Sequence, residues 1–285
     1  MYGVIKRLTE LLDPQKVSIM GIDISLVDTP IETRASTPSL SSVPPPHQGH
    51  GNSGNVDMAI KHDWLWSKLS KWLKANDILI TEAGMPSVGV WDTKLPRDTT
   101  TISQMFWRSI GYTLPAAQGA ALASRELGSV QRVILFITDR NFQSTAPAIS
   151  TILKHKLDII IFLINNGGYT IERWLHDMKA GYNDAPDWEY TAIPKTMGGK
   201  AMVDISNVHS GPYVHPAKMM TKRDRGYKSY TVNNMIELEE LWVKEEFKKP
   251  MGMHFVEMHM RKEDAPLPLK LVCKNIVKTN KASST

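Results

Sequence analysis

Two uninterrupted apolar runs, Val133–Ile137 and Ile159–Ile164, constrain this chain more than any other feature. Runs of five or six residues are the length of a strand, and with no polar residue alternating they predict strands buried on both faces. Between them Ile149, Ile152 and Leu153 recur at helical spacing. A strand, helix and strand of this kind form a right-handed crossover, so the fold class is α/β, a parallel sheet flanked by helices on both faces. Ile78–Thr81 predicts another strand, Gly111–Leu127 an Ala- and Gly-rich helix, and Met253–His259 a last strand. Leu65, Leu69, Trp72 and Leu73 share one face of a helix between His62 and Ala75, closed by Asn76-Asp77. Asn234 is placed to cap a helix through Ile236, Leu241 and Trp242, while residues 202–233 are polar and predict no regular element.

The chain divides into four stretches by composition. Residues 28–55 are rich in Pro, Ser, Thr and Gly around Pro44-Pro45-Pro46 and read as a disordered linker. Before it, Val4, Ile5, Leu8, Leu11 and Leu12 mark an amphipathic segment too small to fold alone. One globular domain is expected over 58–268, with 269–285 as a C-terminal tail. The net charge of +5 is spread along the chain apart from small clusters such as Lys218, Lys222, Arg223 and Arg225, which argues against nucleic acid as a partner. No apolar run is long enough to span a membrane, and the first residues lack a signal-peptide core. The single cysteine, Cys273, cannot form an intramolecular disulfide and suits a reducing, cytoplasmic setting.

The chemistry lies where the two apolar runs end. The first runs into Thr138-Asp139-Arg140-Asn141, and the second into Asn165-Asn166-Gly167-Gly168-Tyr169-Thr170-Ile171-Glu172. Adjacent strands would set Asp139 and Asn166 side by side at the carboxyl edge of the sheet, where open α/β sheets bind ligands. Amide side chains, a Gly turn and a carboxylate suit a hard cation. The same residues also suit plain structure, since Asp after a strand caps helices and Asn-Gly forms turns.

The pairing of Asp139 with Asn166, 27 residues apart, resembles the metal-diphosphate motif of thiamine-diphosphate-dependent enzymes, in which Gly-Asp-Gly precedes Asn-Asn. Further landmarks resemble fungal pyruvate decarboxylase: Thr81-Glu-Ala-Gly-Met-Pro-Ser-Val-Gly89, Ile102-Ser-Gln-Met-Phe-Trp-Arg-Ser-Ile-Gly111, Tyr169-Thr-Ile-Glu172, Lys179-Ala-Gly-Tyr-Asn183, Val256-Glu-Met-His259 and Asp264-Ala-Pro266. The likeness covers the C-terminal, diphosphate-binding domain, and it makes residues 1–57 a remnant of the middle domain plus the linker.

The resemblance implies thiamine diphosphate and Mg²⁺ as cofactors and a 2-oxo acid as substrate. Asp139, Asn166 and the Gly168 carbonyl would hold the metal, with Arg140, Asn141, Tyr169 and Thr170 around the diphosphate. Arg108 would offer its backbone carbonyl to the aminopyrimidine, and Ile110 would bend the cofactor; from the residues alone Ile110 is equally a core side chain. Glu172 would be the catalytic residue that assists decarboxylation and protonation, although a Glu there is also what a helix N-terminus favours. Thr138, Arg140 and Arg108 stand where the family carries Gly. A positive φ forced on such residues costs roughly 1–2 kcal/mol, and the Arg140 charge attracts a diphosphate while repelling its metal. The family's pyrimidine-binding domain, with its activating Glu and His-His pair, has no counterpart here. The chain is therefore expected to hold half a site, to need a homo- or hetero-oligomeric partner that brings this domain, and to be inactive alone. A catalytically inactive relative that regulates a complete decarboxylase, or a truncated gene model, are the alternatives.

Overall fold

Along the strand Val133–Thr138 every residue is buried, with Val133, Leu135 and Ile137 in one apolar cluster and Ile134 and Phe136 in another. Successive side chains of a strand point to opposite faces, so a run with no polar break needs cover on both. The computed structural model describes residues 58–129, 131–202 and 225–282. It begins with helix α1 (His62–Trp72), β1 (Ile78–Thr81), a short α2 (Met85–Gly89) and β2 (Thr100–Ser103). Helix α3 (Thr113–Glu126), β3 (Val133–Thr138), α4 (Asp139–Gln143), α5 (Ala148–Lys154), β4 (Ile159–Asn165) and α6 (Thr170–Leu175) follow. The chain continues through α7 (Ile193–Thr196), β5 (Tyr227–Val232), α8 (Met235–Val243), α9 (Glu245–Lys248), β6 (Met253–His259) and α10 (Leu267–Ala282).

The six strands form one sheet in the order β2-β1-β3-β4-β6-β5, every neighbouring pair parallel. Leu114, Ala117 and Ala121 of α3 and Ile149 and Ile152 of α5 cover one face. Leu65, Trp66 and Leu69 of α1 with Leu238, Leu241 and Trp242 of α8 cover the other. The expected fold class is the one observed. Among the described residues no helix is long and apolar enough to cross a membrane.

Two expectations are corrected, and one strand is unannounced in the sequence. Strand β2, with exposed or half-buried residues, escapes a search for buried apolar runs because it is a sheet edge. Strand β5 occupies Tyr227–Val232 inside the stretch read as irregular; it is the other edge, so Lys228, Ser229 and Thr231 need no burial. Residues 203–224 and the whole of 1–57, including the expected remnant and linker, lie outside the described residues. The boundary expected at 268 falls within α10, whose Leu269 and Cys273 pack with Met85, Val88 and Ala265. A helix with one apolar stripe resembles a polar tail until its partner is known. The predicted cap holds: Asn234 Oδ1 accepts the N–H of Glu237 at 3.0 Å.

Candidate functional site

Strands β3 and β4 are paired with Thr138 opposite Ile164, so the turns that carry Asp139 and Asn166 begin next to each other. Asp139 is fully buried. Its Oδ1 accepts the N–H of Arg140 (2.6 Å), and its Oδ2 accepts those of Gly168 (3.0 Å) and Asn166 (3.3 Å). Burial pushes its pKa up, and these backbone amides only partly offset that.

The two asparagines have separate tasks. Asn165 donates to Glu257 on β6 at 2.8 Å. Asn166 donates through Nδ2 to Thr170 Oγ1 (2.7 Å), and that hydroxyl donates in turn to the Lys262 carbonyl (2.8 Å). With its one proton committed, Thr170 can only accept, which fixes the orientation of the Asn166 amide. Asn166 Oδ1 is left buried without a donor. An orphaned buried acceptor of this kind costs about 1–3 kcal/mol, and a cation is a partner that would satisfy it. Among the described residues no three His, Cys, Asp or Glu side chains gather to make a metal cage. One carboxylate with amide and carbonyl oxygens instead suits Mg²⁺ bound chiefly through phosphates. The residues present fit the implied metal and diphosphate.

Gly168 has φ +128°, and a Cβ there would lie 1.9 Å from the Asn183 carbonyl oxygen. Tyr169 N–H donates to that same carbonyl at 2.9 Å. Beneath the turn lies Arg173, a buried residue whose guanidinium donates to the Gly167 carbonyl (3.1 Å) and to Asp184 (2.5 Å). Arg173 escaped the sequence reading, because nothing in its neighbours marks a charged side chain as the support of a turn.

The departures from Gly settle unevenly. Thr138 has φ −89° and Arg140 lies in α4, neither among the positive-φ residues, so the strain expected at both is absent. Arg108, however, has φ +48°. The Arg140 guanidinium rests over the Tyr169 ring, 5.1 Å from its centroid, and its Nε is buried without a partner. Asn141 donates to the Ala83 carbonyl at 3.0 Å, tying the turn after β3 to the one after β1. The connection from β1 leads to β2 on one side, while β3 lies on the other, so this is the sheet's topological switch point.

Glu82, at the end of β1, is the second residue the sequence reading passed over as chemistry. It is fully buried, accepts the Thr113 hydroxyl at 2.5 Å and the Ala83 N–H at 3.0 Å, and receives backbone hydrogen bonds from Thr113 and Gly111. It thereby anchors the loop carrying Arg108 and Ile110. Gly111 packs against Thr145, just past α4, which brings that loop to the same edge. Ile110 is 52% exposed, so it is not a core isoleucine; Phe106 and Trp107 beside it are 86% and 82% exposed. Glu172 is half-buried in the first turn of α6, and its charge, after burial, helps raise the pKa of Cys273 on α10. His176 is exposed past the end of α6.

Residues 82–222 match the family model described as "Thiamine pyrophosphate enzyme, C-terminal TPP binding domain". The chain is 40% identical over 225 residues to a pyruvate decarboxylase of Aspergillus fumigatus, covering 79% of this chain and 35% of that protein. It is 38% identical over 227 residues to one of Aspergillus terreus, covering 80% and 36%. The chain thus spans about a third of the length of the curated relatives it matches. Benzoylformate decarboxylase from Polynucleobacter necessarius shares the fold with a TM-score of 0.55 at 19% identity, over 76% of this chain and 36% of that one.

Proposed function

The chain belongs to the thiamine pyrophosphate enzyme family, of which it carries the C-terminal TPP-binding domain, and we propose that residues 58–268 supply the diphosphate- and Mg²⁺-binding half of a 2-oxo-acid decarboxylase site. The observation that carries this reading is the buried, donorless Asn166 Oδ1 beside the buried Asp139 carboxylate. Asp139, Asn166 and the Gly168 carbonyl hold the metal, and Arg140, Asn141, Tyr169 and Thr170 surround the diphosphate. Thiamine diphosphate, when bound, would supply a carbanion nucleophile and an electron sink for the pair left behind as carbon dioxide departs.

This chain's own residues bind and orient. Thr170 holds the Asn166 oxygen toward the cation. Glu82 braces the loop carrying Arg108, whose carbonyl would accept a hydrogen bond from the cofactor, and Ile110, which would pack against it. Glu172 moves a proton at the reacting carbon from the rim of α6. The exposed Phe106, Trp107 and Ile110 support a partner that brings the pyrimidine-binding domain, in a homo- or hetero-oligomer, and the single buried Cys273 suits a cytoplasmic setting.

Calorimetric titration of thiamine diphosphate with Mg²⁺ tests the reading, with the chain alone and mixed with a full-length decarboxylase of the family. Binding by the mixture beyond that of the partner, lost in Asp139→Ala, is expected. The isolated chain is expected to show no turnover of pyruvate, and turnover by purified protein would overturn the half-site reading. A second reading, a non-catalytic module of a complete decarboxylase, is favoured by Arg140 standing over Tyr169. In that case the chain alone shows no binding, and the mixture shows none beyond the partner's own.

A further inference from the structure

Two residues tied to Asp139 carry unsatisfied groups of opposite polarity. Asn166, whose N–H donates to Asp139, has in Oδ1 a buried acceptor without a donor; Arg140, next to Asp139 in the chain, has in Nε–H a buried donor without an acceptor. The half-buried Arg140 side chain lies with its guanidinium over the Tyr169 ring, 5.1 Å from its centroid. Among the described residues no carboxylate forms an ion pair with it, although Asp139 is its immediate neighbour in sequence. The Asp139 oxygens are turned instead to the N–H groups of Arg140, Asn166 and Gly168. A single ligand that presents a cation to one orphan and an anionic oxygen to the other would complete both.

Resting on the diphosphate reading given above, we propose that Arg140 is a direct anion contact of this site. It donates Nε–H to a phosphate oxygen and gives diphosphate binding a component that needs no metal. The planar guanidinium is suited to phosphate. Its stack on Tyr169 holds the donor in place before the ligand arrives, which reduces the entropy lost on binding.

Inorganic pyrophosphate in EDTA is the probe, since it lacks both the metal and the pyrimidine that a partner domain would hold. Phosphorus NMR line broadening and the shift of the thermal unfolding midpoint at millimolar pyrophosphate are measured for wild type, Arg140→Gln and Arg140→Lys. The wild type is expected to bind, more weakly as salt is added. Arg140→Gln is expected to bind about tenfold more weakly or worse, and Arg140→Lys in between, as loss of a charged hydrogen bond implies. Unfolding curves without ligand show that each variant is folded; should Arg140→Gln fail to fold, the salt dependence of the wild type and the affinity of Arg140→Lys carry the test. No binding by the wild type in EDTA, or equal affinity in the variants, overturns the proposal. Pyrophosphate binding through Arg140 without any metal-assisted binding of thiamine diphosphate would keep this proposal and remove the cofactor reading.

Discussion

The Thr113 hydroxyl donates to Glu82 over 2.5 Å, from the first residue of α3 to the residue that ends the β1 turn, with both side chains fully buried. Burial raises the Glu82 pKa from its ordinary value of 4.5, and the hydrogen bonds from Thr113, Ala83 and Gly111 counter it only in part. The folded state therefore holds its proton to higher pH than the unfolded chain does. As pH rises above 4.5 the unfolded state releases that proton first, so stability falls until the folded pKa is passed. Denaturant unfolding of wild type and Glu82→Gln from pH 4 to 8 should show the wild type losing ground to the variant as pH rises. Asp139 shifts in the same direction but is common to both proteins and cancels in the difference. A difference independent of pH would mean that the Glu82 carboxyl has the same pKa in the folded and the unfolded chain.

His254 carries the opposite sign. Its pKa is lowered from 6.5 to about 4, first by burial and further by Lys228, against the attraction of Glu246. Its ring stacks with Tyr230 and lies tilted against Phe247, and neither ring nitrogen has a partner. Between pH 6.5 and 4 the unfolded chain binds the proton that the fold refuses, so stability is full above 6.5 and drains away on acidification. The loss approaches about 3 kcal/mol at the acid end. His254→Phe keeps the stack and should flatten this part of the acid slope. Matching slopes for wild type and variant would refute it.

Arg108 has φ +48°, where a side chain is strained. Arg108→Gly should stabilise the folded chain by about 1 kcal/mol, the relief of left-handed strain less the added freedom of the unfolded chain. Thermal or urea unfolding measures it; a loss of stability would show that the exposed Arg108 side chain contributes more than its backbone costs.

Gly168 is the reverse case. A Cβ there would lie 1.9 Å from the Asn183 carbonyl and sit on a backbone at φ +128°. Gly168→Ala is expected to cost about 2–4 kcal/mol and to displace the turn that donates to Asp139. A variant within 0.5 kcal/mol of wild type, about the scatter of neutral surface changes, would show that the turn relaxes freely.

The sequence by itself determined the sheet interior and the location of the site. Val133–Ile137 and Ile159–Ile164 have no polar face to offer water, so their burial and parallel pairing follow from composition and connection length. The adjacency of Asp139 and Asn166 follows from that pairing, since each comes directly after a strand. Edge strands β2 and β5 were not legible, because an edge residue meets both water and protein and its pattern is that of a loop. Nor was the support of the site. Glu82 and Arg173 are charged residues whose burial depends on partners distant in the chain or beneath a turn, and only the packed structure brings Thr113 and Asp184 to them. The strain at Arg108, and its absence at Thr138 and Arg140, was likewise decided in three dimensions, because φ is set by where the chain must go next rather than by the residue that occupies the place.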